Sequence, residues 1–450
     1  MILNKPKQRH YDVVILGSGP AGITTALELS KDPALRIAVI ESGLLEPHPT
    51  IRTLANVDLN GDFPPDYFPM HTQRCFGGTS TIWGGFCAVL ERRAFTAQEW
   101  PIPYEEVDRW YPAAAEIIEL PEKAYRQPTD AIEGTSELVY KPFYLSPPVR
   151  FNEKYHAFFQ HDPRVDLVLG TTGTRLVSRG RRVTALELRD SLAPRLPPTV
   201  VSADRFVLAC GGVGNPRVLL LSDLVGQMPV GLGLMEHPHL YAVAQMFLDR
   251  DRLPISTEKD PRVVHALQLA DSYCIERGVL SFSADFNVEQ MAPTVLLGKR
   301  REMLLTPVTL RTEIAPDFRN AISSSDQRDY LGLPLPRVDF HYRYRDLALE
   351  GWQLFGEALL RSGLGRPSVL QPEFKIRDGG HLMGTTRMGH SMSDSVVDSN
   401  CRVHTTDNLY VAGSSVFPAG GASNPTYTIV AMALRLGAHL ASLSGGNAHG

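Results

Sequence analysis

Residues 13–30 read VVILGSGPAGITTALELS, and the fold turns on this stretch. The run Tyr11–Leu16 is apolar and rich in Val and Ile, the signature of a strand buried on both faces. Ala21–Ser30 then repeats apolar residues at helical spacing. Gly17, Gly19 and Gly22, with Pro20 and Ala21 between them, fall at the strand-to-helix turn. In such a turn the first glycine allows the bend, the second lets a pyrophosphate approach the backbone, and the third lets helix pack on strand. The helix N-terminus adds unpaired N–H groups and partial positive charge. A second strand, RIAVIES (36–42), ends in Glu41 and Ser42, and Glu41 stands 19 residues past Gly22, where an acid takes the ribose hydroxyls. The stretch predicts a dinucleotide site without deciding between FAD and NAD.

The bulk numbers narrow the partners. The chain has 450 residues, 43% hydrophobic and 21% charged, with a net charge of −4. Nothing basic draws it to nucleic acid or an anionic membrane, so a small-molecule substrate is expected. Cys75, Cys87, Cys210, Cys274 and Cys401 are scattered singly, an odd set without a C-x-x-C pair, which argues against a disulfide framework or a zinc site. With no signal-peptide pattern and no apolar run of membrane-spanning length, a cytoplasmic location is expected. Composition leaves the oligomeric state open.

Further along, LANVDLNGDFPPDYFPMHTQ (54–73) reads as irregular and RCFGGTSTIWGGF (74–86) as a glycine-rich loop. The spacing of Val107, Trp110, Tyr111 and Ala114 predicts one helix over Pro103–Leu120. VDLVLGTTGTRLVSRGRRVTALELRD (165–190) reads as a hairpin, and RFVLACGGVGNPRVLLLS (205–222) repeats strand, glycine turn and helix. Short alternating runs between Met235 and Ile376 predict an antiparallel sheet with one covered face, carrying a helix over Asp346–Ser362. NLYVAGSSVFPAGGASNPTYTIVAMALRLGAHL (408–440) returns to strand, loop and apolar helix, the helix starting near Asn424. The predicted fold class is α/β: a discontinuous Rossmann-like nucleotide domain (1–115, 160–235 and 378–450) of glutathione-reductase type. An antiparallel β-sheet substrate domain (116–159 and 236–377) is inserted in it.

Several segments together resemble the glucose-methanol-choline (GMC) oxidoreductases: RCFGGTSTIWGG, CGGVGNPRVLLLS, GLGLMEHPHL (231–240), HLMGTTRMG (381–389) and GSSVFPAGGASNPTYTI (413–429). STIWGG and SNPTYTI look most like the pyranose oxidase and bacterial glycoside oxidoreductase branch. The resemblance implies FAD and the oxidation of an alcohol group of a sugar, glycoside or related polyol, by hydride transfer to flavin N5. Electrons would pass on to oxygen or another acceptor. It implies His381 as the base and Asn424 as the residue that orients the hydroxyl. It also implies contacts to FAD from Arg74, Gly77, Gly78, Thr79, Ser80, Trp83 and Gly84, from Ala209, Gly413 and Ser414, and from Pro425 and Thr426, with Thr174 offering backbone to adenine. Relatives that attach their flavin covalently carry His where this chain has Ile82, so the FAD is expected to be non-covalent. A flavin-dependent lyase or decarboxylase on the same scaffold and an NAD-linked dehydrogenase are the alternatives.

Other residues invite plainer readings. His237 and His239 have ligand spacing, but on ligand count no metal is expected. Arg311 and Glu313 alternate with apolar neighbours and are expected on a solvated strand face. Asn424 also suits the N-cap of the helix that follows it. That helix N-terminus is expected to favour the anionic form of reduced flavin.

Overall fold

The computed structural model describes residues 1–445 apart from 97–99, 127–128, 256–259, 287, 289–290, 297–298, 344 and 370–378. The strand β1 (His10–Leu16) leads through the glycine turn into α1 (Pro20–Leu29), and β2 (Ile37–Ile40) lies parallel to β1. β3 (Val165–Val168) extends the sheet beyond β2, and β4 (Thr199–Leu208) joins β1 on its other side, both in parallel. α2 (Gly211–Leu221) follows β4 after Ala209 and Cys210, with Gly211, Gly212 and Gly214 in its first turn. Val13, Val14 and Ile15 are fully buried, as are all four residues of β2 except for no more than a trace of surface, because helices cover both faces of a parallel sheet. This parallel sheet with its glycine turn leading into α1 is the Rossmann-type architecture expected from the sequence.

The second large sheet is antiparallel. β5 (His239–Asp249) pairs with β6 (Lys299–Thr312) in a register that sets His239 opposite Arg311. α3 (Arg345–Ser362) packs Trp352, Phe355 and Leu359 into a core of its own with Leu267 and Phe282. Leu409–Val411 then returns the chain to the first sheet, parallel to β4, and α4 (Thr426–Gly445) lies across α1. Gly437 makes that crossing close, since a Cβ there would stand 2.6 Å from Glu28 Cβ. Among the described residues no helix is long and apolar enough to cross a membrane.

Three expectations need correction. The helix over Pro103–Leu120 is two helices, Tyr104–Asp108 and Tyr111–Ile118, because Pro112 has no N–H to give the carbonyl of Asp108 and begins a new helix instead. The stretch 54–73 is not wholly irregular: Asp58–Gly61 is a strand and Tyr67–His71 a short helix. That strand pairs in parallel with Pro334–Phe340, which therefore leaves the large antiparallel sheet for a three-stranded one. The aromatic residues around it explain the pairing, Phe63 stacking on Phe340 at 4.2 Å and on Tyr67 at 4.3 Å. The hairpin expected over 165–190 begins at Thr171, β3 having gone to the parallel sheet. The expected return to the nucleotide domain at 377–378 lies outside the described residues.

Candidate active site

A cavity of ≈ 620 Å³ runs from the first glycine turn to the face of the antiparallel sheet. At its nucleotide end, clearances decide what each glycine does. Gly17 has φ +108°, and a Cβ there would lie 2.4 Å from the carbonyl oxygen of Ala209, so only glycine fits between the ends of the neighbouring parallel strands β1 and β4. Gly22 does not line the cavity; a Cβ on it would meet Gly17 O at 2.0 Å, so its role is helix–strand packing. Gly19 has ordinary extended backbone and would point a Cβ into open space. Space that the fold leaves empty at a helix N-terminus suits a phosphate.

Pro20, Ala21, Glu41 and Ser42 line the same end. Glu41 is also a structural acceptor: Oε2 takes the N–H of Ser18 (3.0 Å) and its hydroxyl (2.8 Å), and Oε1 takes the N–H of Gly43 (2.8 Å). Arg74 reaches Ser42 Oγ at 3.3 Å. The second glycine loop locks onto the first, with the Gly77 N–H donating to Ser18 O at 3.0 Å and Gly78 seated so that a Cβ would lie 2.9 Å from Gly19 Cα. Gly78, Thr79, Ser80, Trp83 and Gly84 line the cavity, whereas Gly77 turns the loop from behind. Ala209, Gly413, Ser414, Pro425 and Thr426 complete the wall.

Thr174 does not reach it. A β-bulge between Gly173 and Arg175 leaves Thr174 bonded to Glu187, and Thr172 and Gly173 face the cavity instead. Arg217, unmarked by any local signal, also lines the wall and pairs with Asp329 at 2.7 Å. Arg74 Nε, Arg217 Nε, Asn424 Oδ1 and His381 Nδ1 are buried polar atoms without a hydrogen-bond partner, and all belong to residues of this one cavity. Buried polar groups are rarely left unpaired in the absence of a ligand. The residues present fit an elongated polar dinucleotide.

At the other end the side chains converge from distant positions. Asn424 Nδ2 lies 3.3 Å from His381 Nε2. With the amide nitrogen as donor, the neutral imidazole carries its proton on Nδ1 and offers Nε2 as acceptor. Helix α4 starts at Thr426, so the Asn424 side chain serves His381 rather than the cap. His237 and His239 pack edge-on against His381, with ring centroids 5.3 and 5.4 Å away. Desolvation, then His237, His239 and Arg311, push His381 well below the ordinary histidine pKa, and burial brings His237 down to about 4. His381 is therefore neutral near pH 7.

Arg311 and Glu313 are not on a solvated face. Both are buried, because β6 is an inner strand, and both charges are paired: Arg311 Nε with Asp285 at 2.6 Å, Glu313 with Arg93. Arg311 lines the cavity next to His239, 3.2 Å from its Nε2. Ile82 also lines it and is 46% exposed.

The loop that carries Asn424 rests on a buried ion pair that no local pattern marks. Lys141 Nζ meets Glu91 Oε1 at 2.7 Å and the Ser423 hydroxyl at 2.8 Å, and Glu91 Oε2 accepts the N–H of Ala422 at 3.2 Å. Gly421, at φ +58°, passes so close that a Cβ would stand 2.0 Å from Glu91 Oε2.

Comparison with known proteins bears on this geometry. Residues 316–433 match the family model for GMC oxidoreductases. A 6'''-hydroxyparomomycin C oxidase from Streptomyces lividus is 31% identical over 54% of this chain and 45% of its own length. The chain thus spans about half the length of the first curated relatives it matches, 45% and 49%. A paromamine 6'-oxidase from Streptomyces fradiae is 27% identical over 95% of this chain and 90% of its own. Among solved structures, pyridoxine 4-oxidase from Mesorbium loti has the same fold, with a TM-score of 0.62 at 19% identity, covering 95% of this chain and 99% of that one.

Proposed function

Because the chain belongs to the GMC oxidoreductases, we propose that it holds FAD non-covalently and oxidises an alcohol group of a sugar, glycoside or related polyol. The observation that carries this reading is the His381–Asn424 pair, 3.3 Å apart, on the wall of the cavity that also contains the Gly17–Gly19 turn. The N–H groups that open α1 and the space beside Gly19 would take the phosphates, and Glu41 a ribose. When bound, FAD supplies a two-electron acceptor for the hydride of a carbinol carbon. His381, held neutral by its surroundings, accepts the hydroxyl proton at Nε2 once the substrate hydroxyl takes the place of the Asn424 amide at that nitrogen. Asn424 offers an amide to the same hydroxyl and sets its orientation. Arg311, His239 and Asn424, which line the cavity around His381, would offer polar groups to a polyhydroxylated molecule.

That these curated relatives are named as oxidases or dehydrogenases favours oxidation over the lyase alternative. Ile82 favours non-covalent FAD, because an alkyl side chain offers no nucleophile to a flavin. An anaerobic screen of sugars, glycosides and simple alcohols for bleaching of the flavin colour, followed by admission of air, tests the reading and reports the electron acceptor. A yellow protein that none of them bleaches would overturn it. Acid precipitation checks the attachment: the flavin is expected in the supernatant, and flavin left in the pellet would refute non-covalent binding.

A further inference from the structure

In GLGLMEHPHL the reading above leaves Glu236 without a task. Its side chain is fully buried and accepts four hydrogen bonds. Oε1 takes the N–H groups of His237 (2.7 Å) and His381 (2.8 Å), and Oε2 takes the N–H of His381 (2.9 Å) and the hydroxyl of Tyr67 (2.6 Å). The Tyr67 oxygen in turn accepts the N–H of Gly380 at 2.8 Å. Gly379 bends round the carboxyl so tightly that a Cβ would lie 2.5 Å from Oε1. Three consecutive residues are thus moulded on one carboxyl, and Met235 and Met383 bridge the same two segments just beyond it.

We propose that Glu236, together with Tyr67, is the positioning residue for the base: it fixes the turn 379–381 and so sets where the His381 ring meets the substrate hydroxyl beside Asn424. This rests on reading His381 as the base. An ionised carboxylate only accepts, which matches three donors, the His381 N–H being shared between both oxygens; a glutamine amide offers one acceptor and turns two donors on the others. Burial raises Glu236 to about 7, against the hydrogen bonds from Tyr67, His381 and His237 that hold it down. The groups facing it are Tyr67, His237, His381 and, beneath Tyr67 at 4.4 Å, His71. Below about pH 7 the protonated acid must give up an acceptor and the turn loosens. Above it, the three-donor arrangement is complete.

The test uses the FAD-loaded enzyme, Glu236→Gln and Tyr67→Phe, with two readouts. One is the anaerobic rate of flavin reduction by the best substrate across pH 5–9; the other is deuterium uptake in the segment 379–383. Glu236→Gln is expected to keep FAD and to lower the limiting rate on the order of 10²-fold, the effect of displacing a catalytic group by about 1 Å. Half-saturation should change little, the rise of rate through pH 7 should vanish, and 379–383 should exchange faster. Tyr67→Phe should move both readouts the same way, by less. Wild-type rate and exchange in Glu236→Gln overturns the proposal, as does a slower rate with unchanged exchange, which assigns Glu236 a role other than positioning. If Glu236→Gln fails to fold, Tyr67→Phe decides: wild-type behaviour in both readouts overturns the proposal, and movement in both supports it. If no alcohol or sugar reduces even the wild type, exchange alone decides. Faster exchange in 379–383 then supports Glu236 as the anchor of the turn while the reading of His381 as base falls; unchanged exchange overturns both.

Discussion

The two ends of the cavity are built from different materials. At the nucleotide end the wall is mostly backbone, and what makes it work is the absence of atoms at Gly17, Gly22 and Gly78, where a single Cβ would press on a neighbour at 2.0–2.9 Å. At the substrate end the wall is side chains: His239, His381, Arg311 and Asn424, with His237 packed against His381 and two buried carboxyls anchoring the backbone. The first end therefore fails by crowding and the second by leaving buried polar groups unpaired. Substitutions at the two ends should separate cofactor retention from chemistry.

His381→Ala should produce the largest effect and confine it to chemistry. Its removal takes away the proton acceptor without touching the nucleotide wall, so FAD should stay bound while anaerobic reduction slows by about 10²- to 10⁴-fold. Asn424→Ala should cost less, because orientation is lost while a base remains. Since the surroundings lower the His381 pKa, the neutral ring persists as pH falls below about 6.5, and its own acid limb should lie well under that value. Stopped-flow traces of both variants over pH check this. A His381 variant as fast as wild type would make the substrate end mere packing, and the contrast between the two ends would collapse.

Glu91→Gln should come next, and its effect is on stability. It leaves the Lys141 ammonium buried against a neutral amide, and breaking a buried pair from one side costs about 3–5 kcal/mol. Burial pushes the Glu91 carboxyl up, but Lys141 prevails and holds it down to about 2. A depressed carboxyl stabilises the fold above the unfolded pKa near 4.5 and loses that contribution as pH falls towards 2. Wild type should therefore lose stability steeply below pH 4.5, and Glu91→Gln less so. Thermal melts from pH 2 to 7 compare them, and parallel curves would show that the pair does not hold the Asn424 loop.

The same contrast explains what could be read without coordinates. Gly17, Gly19, Gly22 and Glu41 lie within 25 residues and act through backbone geometry that a contiguous stretch dictates, so their pattern is visible in the string. His381 and Asn424 were visible only through a family resemblance, since 43 residues separate them. Glu91, Tyr67 and Glu236 gave no signal, because each becomes meaningful only through a partner from another element: Lys141, Gly380 and His381. Arg311 was misread because alternation along a strand is the same whether its polar face meets water or a paired acid. Thr174 was misread because a bulge shifts the register by one residue, which no propensity announces.

Two glycines of one turn sharpen the comparison further. Gly22→Ala would press its Cβ into the Gly17 carbonyl, and an overpacked site costs about 1–3 kcal/mol. The apo protein should melt lower and hold FAD poorly, a loss of both properties together. If it melts like wild type, α1 has room against β1 and the clearance account of this end is wrong.

Gly19→Ala should have the smallest effect on the fold and a selective one on the cofactor. Its backbone, φ −76° and ψ −176°, suits any residue, and a Cβ there meets no protein atom within 4 Å. The apo protein should lose no more than about 1 kcal/mol, the order of a changed N-cap. Yet the methyl would occupy the space at the mouth of α1 where a phosphate must come close to backbone N–H groups. Apo stability near wild type with weaker FAD binding, measured by titrating FAD into apo enzyme, is the expected pair of results. FAD affinity equal to wild type would mean that the empty space beside Gly19 is not where the phosphates sit, and the nucleotide end would have to be reassigned to the glycine-rich start of α2 at Gly211–Gly214, on the same cavity.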